Sequence, residues 1–278
     1  MRALGSSDGW SSGRVTTRAT ALLAPNPSWM TLDGTNSWLL LEPGSRLAAL
    51  VDPGPDDPGH LDGVMAAAHG AGARISMILL THGHADHSAG ARRLHDLTGA
   101  PVRALDPSHR LGGEGLADGD VLEVGGLVLS VVGTPGHTAD SLTFLLPADG
   151  ALLTGDTVLG RGSAVIAHPD GHLGDYLDSL HRLSNVAAVT GAGWVLPGHG
   201  PACPDPATLL GDYLEHRRDR LALVASAMAA GTTDPEDLLS AVYPEVPPAL
   251  RWAARLSLAA QVEYLTHGGH RAAGSGPQ

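Results

Sequence analysis

The stretch Thr81-His82-Gly83-His84-Ala85-Asp86-His87 limits what this chain can become more than any other part of it. It follows the apolar run 75–80, which reads as a buried strand, and precedes Ser88-Ala89-Gly90-Ala91-Arg92-Arg93-Leu94, which reads as the start of a helix. Three histidines and an aspartate therefore sit on a strand-to-helix loop, where a rigid scaffold displays functional groups. Histidines two residues apart in extended chain can converge on one point, and Asp86 with His87 can face a second. Imidazole nitrogens and carboxylate oxygens are the ligands that borderline cations such as zinc prefer. One loop histidine would read as solvated; this cluster reads as a metal site.

The same grammar recurs at three later strand ends. The run 127–132 leads into Gly133-Thr134-Pro135-Gly136-His137-Thr138, the run 151–153 into Thr154-Gly155-Asp156-Thr157, and the run 194–196 into Pro197-Gly198-His199-Gly200. Glycine lets the backbone turn sharply and approach a ligand closely. His137 or His199 alone would pass for a solvated turn residue, and Asp156 alone for an Asx-turn. Repetition at strand ends instead gathers His82, His84, Asp86, His87, His137, Asp156 and His199 at one sheet edge. That number of ligands suits two cations sharing one carboxylate.

Composition sets bounds. The 278 residues are 43% hydrophobic and 17% charged, enough for a substantial core. Cys203 is the only cysteine, so no intramolecular disulfide or Cys-based zinc finger forms, and a cytoplasmic location is expected. The net charge of -12 disfavours capture of a polyanion by the whole surface. No run is apolar enough to span a membrane. Residues 1–14 are expected to be a disordered leader without a signal peptide, and 268–278 a flexible tail.

Strands are expected at 35–41, 47–51, 75–80, 102–105, 121–124, 127–132, 141–146, 151–153 and 194–196, and helices at 60–71, 85–98 and 174–185. From 206 onward the pattern is helical, roughly 206–229, 234–242 and 248–266. This is a layered α/β domain over 15–205, with strands inside and helices outside, followed by a helical appendage over 206–267.

The Thr81 to His87 stretch resembles the His-x-His-x-Asp-His signature of the metallo-β-lactamase superfamily, and His137, Asp156 and His199 match its later metal positions in order. The resemblance, over about residues 20–205, implies a four-layer αβ/βα sandwich with a two-metal site at one edge. It implies His82, His84 and His137 on one metal, Asp86, His87 and His199 on the other, and Asp156 bridging. His84 and Asp86-His87 separate the chain from the flavodiiron branch, and Asp156 from lactamases with a bridging cysteine. Asn26-Pro27-Ser28, Met30-Thr31-Leu32-Asp33-Gly34-Thr35-Asn36, Asp175-Tyr176 with Ser179-Leu180, and the helical C-terminus are similar to the β-lactamase-like protein 2 group. That group adds a small winged-helix-like C-terminal domain, and its animal members cleave single-stranded RNA. Here Leu265 runs almost directly into Gly268-Gly269, leaving little chain for a wing hairpin.

The expected chemistry is hydrolysis by a metal-activated water, with two divalent ions, Zn2+ first and Mn2+ or Fe next, and with Asp86 holding the second metal and orienting the nucleophile. The substrate is expected to be single-stranded RNA or, as for the glyoxalase II branch, a small ester or thioester; a non-enzymatic scaffold is a third reading. Few aromatics (4%) are available to stack bases. His168, His172 and His181 are expected at the surface, Cys203 buried and inert, Asp52 and Asp120 in turns, and Trp29 and Trp38 in the core. Asn36 is expected to be structural. Arg217, Arg218, Arg220, Arg251 and Arg255 are expected on a solvated face or beside acidic partners, a phosphate-binding face being the sharper alternative.

Overall fold

A computed structural model describes residues 9–268. Two six-stranded sheets face each other. The first runs β1 (Gly13–Arg14), β2 (Ala19–Leu23), β3 (Asn36–Leu41), β4 (Leu47–Val51), β5 (Arg74–Leu79) and β6 (Val102–Arg103), in that spatial order. Its first four strands are antiparallel, and β4, β5 and β6 are parallel. The second sheet holds β7 (Val121–Val124), β8 (Leu127–Gly133), β9 (Leu142–Leu146), β10 (Ala151–Gly155), β11 (Trp194–Pro197) and β12 (Cys203–Pro204), antiparallel except for the β10–β11 pair.

Alternation along each strand divides the side chains between layers. Trp38, Leu40, Val51, Leu79, Phe144, Leu153 and Leu196 meet between the sheets. Leu39, Leu50, Ile78 and Leu80 point the other way, towards α1 (Pro58–Gly70) and α3 (Ala91–Thr98). Val132 and Val195 pack against α4 (Leu173–Thr190) and the first half of α5 (Pro206–Ala229). Each large side chain in these layers contributes roughly 1.5–3 kcal/mol by leaving water. This is the four-layer αβ/βα sandwich expected. The later half of α5, with α6 (Pro235–Val242) and α7 (Arg251–His267), closes its own small core around Val224, Leu239, Val242 and Leu258. Among the described residues no strand follows β12, so no wing hairpin accompanies these helices.

Several expected elements change. Gly13–Arg14, placed in the loose leader, pair with β2, and the leader's residues 1–8 and the tail's 269–278 lie outside the described residues. β2 itself reads weakly because Ala19 and Ala21 carry little strand propensity; its pairing with β3 decides it. The helix expected over 85–98 splits into α2 (Ala85–Ser88) and α3 at Gly90. The Gly90 amide bonds the Gly54 carbonyl at 2.9 Å, and a Cβ there would lie 3.0 Å from Leu61 and from the Pro55 carbonyl. The chain is thus pulled against the β4–α1 loop, and the helix cannot run straight through.

Candidate metal centre

The ends of β5, β8, β10 and β11 meet at one edge of the sandwich, and backbone bonds tie their loops together. The Leu142 amide donates to the Thr81 carbonyl at 2.8 Å, Gly198 to Gly155 at 2.9 Å, and Asn36 to Gly198 at 2.8 Å. The Asn36 side chain donates to the Pro197 and Gly200 carbonyls at 3.0 and 2.8 Å, bolting the His199 loop to the first sheet, the structural role expected.

Seven side chains converge there. His82 Nε2 lies 3.0 Å from His84 Nδ1, which lies 3.1 Å from His137 Nε2. On the other side His199 Nε2 is 3.2 Å from both His87 Nε2 and Asp86 Oδ2. Asp156 sits between them: Oδ1 is 3.4 Å from His87 Nε2, and Oδ2 is 3.4 Å from His199 Nε2 and 3.7 Å from His137 Nε2. His82, His84 and His137 form one group able to hold a cation, and Asp86, His87 and His199 another, with Asp156 within reach of His82 and His87.

The donor chemistry fits cations at this edge. Four of the five histidines have the nitrogen that faces away from the centre engaged: His82 with Thr81 Oγ1 at 3.0 Å, His87 with Asp52 Oδ2 at 2.8 Å, His137 with the Val165 carbonyl at 2.7 Å, His199 with the Gly34 carbonyl at 3.2 Å. Such bonds fix the tautomer and turn the other lone pair inwards. Asp156 Oδ1 is buried with no hydrogen-bond partner. Burial, with the neighbouring imidazoles, lowers the pKa of His82 and His137 and favours their neutral, ligating form. At His87 and His199 burial acts the same way, but Asp156 above all outweighs it, raising His87 well up and His199 to about 9. Asp156 stays ionised despite its burial because His199 and His87 face it. The two carboxylates of the centre therefore call for positive charge between them, which a proton or a cation can supply.

Asp52 is the residue whose role the sequence does not reveal. It stands in the turn just past β4, as expected, with a left-handed φ of +53°, but it is buried, accepts the Thr81 amide at 2.8 Å and hydroxyl at 2.7 Å, and orients His87. The signal was present, because Val51-Asp52-Pro53-Gly54 is one more strand end running into an Asp and a glycine turn.

Other expectations also change. Trp38 is buried, but Trp29, expected in the core, is 69% exposed and stands beside the centre. His172 is buried and caps α4 by accepting the Asp175 amide, His168 pairs with Glu263, and His181 is exposed as expected. Cys203 is half-buried, with its thiol pKa raised by burial. The arginines make no common face. Arg251 and Arg255 pair with Glu236, Arg220 lies over Tyr243 and donates to the Val242 carbonyl, and Arg217 is buried over Tyr176. Arg218 is exposed.

A pocket of about 280 Å³ opens on His137 and Asp156. Trp29, Met30 and Leu32 form one wall, Leu159 with residues 161–165 another, and Arg217, Tyr243, Val246 and Leu250 of the helical appendage the third. The Arg161–Asp33 ion pair, at 2.7 Å, ties the first two walls together. No described helix is long and apolar enough to cross a membrane.

Comparison with known proteins agrees with this geometry. The model of the metallo-beta-lactamase superfamily matches residues 30–199. The chain is 33% identical to the lactamase-like protein adaB of Aspergillus niger, over 77% of this chain and 65% of that one, so it spans a little under two thirds of that relative's length. It is 29% identical to the beta-lactamase-like protein 2 homolog of Caenorhabditis elegans, over 88% of this chain and 81% of that one. A metallo-beta-lactamase family protein of Thermus thermophilus superposes with a TM-score of 0.74 at 25% identity, covering 90% of this chain and 94% of the other. With a family match across residues 30–199, the sandwich fold and the clustered histidines and aspartates, the chain belongs to the metallo-β-lactamase superfamily.

Proposed function

We propose that the chain is a metal-dependent hydrolase of a small ester or thioester, with His82, His84 and His137 around one cation, Asp86, His87 and His199 around a second, and Asp156 shared. Divalent ions held there, zinc first by ligand type, would supply Lewis acidity that lowers the pKa of a water and draws charge from the acyl oxygen. The observation that carries the reading is the pocket, which is small, largely apolar, and has His137 and Asp156 in its wall.

The chain's own residues divide the work. Trp29, Met30 and Leu32 cover the apolar body of the substrate and exclude water around it. Asp86 is partly exposed, and its pKa is lowered because His199 and the nearby imidazoles outweigh its burial. Its ionised carboxylate can accept a proton from the attacking water as the new carbon–oxygen bond forms. That proton then passes to the departing alkoxide or thiolate as the old bond breaks, so charge and atoms balance. In this reading the catalytic domain runs over 15–205, and the module 206–267 serves as a pocket wall.

RNA cleavage is the second reading, favoured by the likeness to the Caenorhabditis elegans protein over most of both chains. Against it, Arg251 and Arg255 are held by Glu236 and Arg220 by Tyr243, and the described appendage has no wing. One experiment separates the readings. Zinc- or manganese-loaded protein is given aryl esters, alkyl thioesters and labelled single-stranded RNA, with Asp86→Ala as the blank. Acyl hydrolysis lost in Asp86→Ala supports the proposal. RNA cleavage alone, lost in the same variant, would replace it, and full activity after chelation would sink both.

A further inference from the structure

The charge on Arg217 is unanswered within the pocket. Its residue is 3% exposed, and among the described residues no carboxylate pairs with it. Nη2 donates to the Ala164 carbonyl at 2.5 Å, the guanidinium lies over the Tyr176 ring with its carbon 4.9 Å from the centroid, and Nε is buried with no hydrogen-bond partner at all. The other arginine of the pocket, Arg161, has Asp33. His216 beside it lines the same pocket, and burial with Arg217 and Arg220 pushes its pKa down to about 4, so it stays neutral and adds no compensating charge. An enclosed guanidinium with an idle N–H is costly, and removing such a charge from water is tolerated where an anion meets it. Asp156 lines the same pocket, but the centre's histidines already face it, and cations bound there would take up what charge remains.

We infer that Arg217 receives a carboxylate carried by the substrate, so that the compound hydrolysed is a monoester or monothioester of a dicarboxylic acid, or a similar acyl compound with a second, free acid group. The inference rests on the acyl-hydrolase reading above and deepens it. A planar carboxylate suits the fork of a guanidinium, which can offer two parallel N–H groups to its two oxygens. Arg217 thereby acts as a specificity residue: it touches the part of the substrate that does not react and sets which acyl group lies against His137 and Asp156. The apolar wall of Met30, Val246 and Leu250 would lie along the methylene chain between the two ends.

The test uses the zinc-loaded full chain. S-ethyl monothioesters of glutarate, adipate and pimelate are compared with their carboxamide counterparts in turnover. Binding of 6-ethoxyhexanoate and 6-ethoxyhexanamide, in which an inert ether replaces the thioester, is measured by calorimetry. The unaltered protein is expected to favour the carboxylate by about tenfold or more in kcat/KM at one chain length or more, and in Kd for the ether pair. Arg217→Gln is expected to bring both ratios to about one, and Arg217→Lys, which keeps the charge, to hold them above it. A carboxylate preference that persists in Arg217→Gln would place the anion on the metals and overturn the inference. Anionic and neutral compounds falling together with the ratio intact would make Arg217 a strut for the Ala164 loop and overturn it too. Should Arg217→Gln not fold, absence of any preference in the unaltered protein is by itself decisive against it. If no acyl compound is turned over, the hydrolase reading fails, and the ether pair still decides whether Arg217 holds a carboxylate.

Discussion

Replacing Asp52 by asparagine changes one atom and leaves the backbone conformation available, because Asn accepts the left-handed φ of +53° found there. The structure says the change cannot be silent. Asp52 Oδ1 accepts the Thr81 amide, while Oδ2 accepts both the Thr81 hydroxyl and His87 Nδ1–H. An amide nitrogen in the Oδ1 place would meet the Thr81 N–H donor to donor. In the Oδ2 place it would donate to His87 Nδ1, and the His87 proton would move to Nε2, the atom that faces Asp156 and His199. Either way one buried bond is lost, about 1–3 kcal/mol of stability. In the second case His87 also loses its inward lone pair, and partners of this kind typically govern about 10–100-fold in metal affinity. Asp52→Ala leaves three donors unmet and adds backbone strain, so it should cost about 3–5 kcal/mol. Zinc retained after dialysis against graded chelator, counted per chain, reads the affinity, and urea unfolding reads the stability. Asp120→Asn is the control, since Asp120 only closes a turn on the Ala117 amide. An Asp52→Asn protein that holds zinc as tightly as the parent would refute this account of His87.

Gly198 lies against the centre so closely that a Cβ would stand 2.6 Å from both Asp156 Oδ1 and His87 Cε1; Gly198→Ala should keep the fold by circular dichroism yet bind zinc about tenfold or more weakly. Asp149 accepts Arg18 Nη1 and the Arg18 amide, each at 2.7 Å, and the Thr16 hydroxyl, joining the first sheet to the turn between β9 and β10. Burial raises its pKa, but these bonds more than offset that and hold it below the ordinary 3.8. Its contribution is therefore complete above that value and lost as pH falls through the lower folded one: Asp149→Asn should cost about 2 kcal/mol in urea unfolding at pH 7, and the gap should shrink below pH 3.8. Trp29→Ala should leave the unfolding midpoint in place, because the ring is 69% exposed, and raise KM several-fold for substrates with an apolar body while sparing kcat; an unchanged KM would remove Trp29 from the pocket wall.

The candidate centre was legible because its chemistry is local. A strand end, a glycine and a His or Asp lie next to one another in the chain, and the parallel pairing of β10 with β11, together with the antiparallel β8–β9–β10 meander that points β8 and β10 the same way, brings such ends to one edge. The spacing in Thr81 to His87 carries four of the seven residues in one loop. Asp52 was missed although it stands at such an end, because its partner Thr81 looks like an ordinary strand terminus and their bond spans 29 positions. Trp29 fails for a different reason: hydropathy assigns a tryptophan to the core, and only the turn at Ser28–Leu32, closed by its own isolated bridge, turns it outwards.

Arg217 marks where local reading ends. On α5 it stands in the run His216-Arg217-Arg218-Asp219-Arg220, which looks like a solvated face. Helical geometry alone sets it apart: Leu210, Tyr213, Arg217 and Val224 recur at spacings of three, four and seven, one stripe of the helix, and all four are buried. A charged residue within an otherwise apolar stripe is either matched by a counter-charge from elsewhere in the chain or left for a ligand. The sequence cannot decide between these, because the counter-charge may come from any distant segment. In the fold α4 presents Tyr176 to the guanidinium and Ala164 presents a carbonyl, and neither carries a negative charge, which is what the proposed substrate contact rests on. What the helical appendage adds to the candidate metal edge is thus one unmatched positive charge in an apolar wall, and under the proposed function that combination would discriminate among acyl compounds by the charge at their far end.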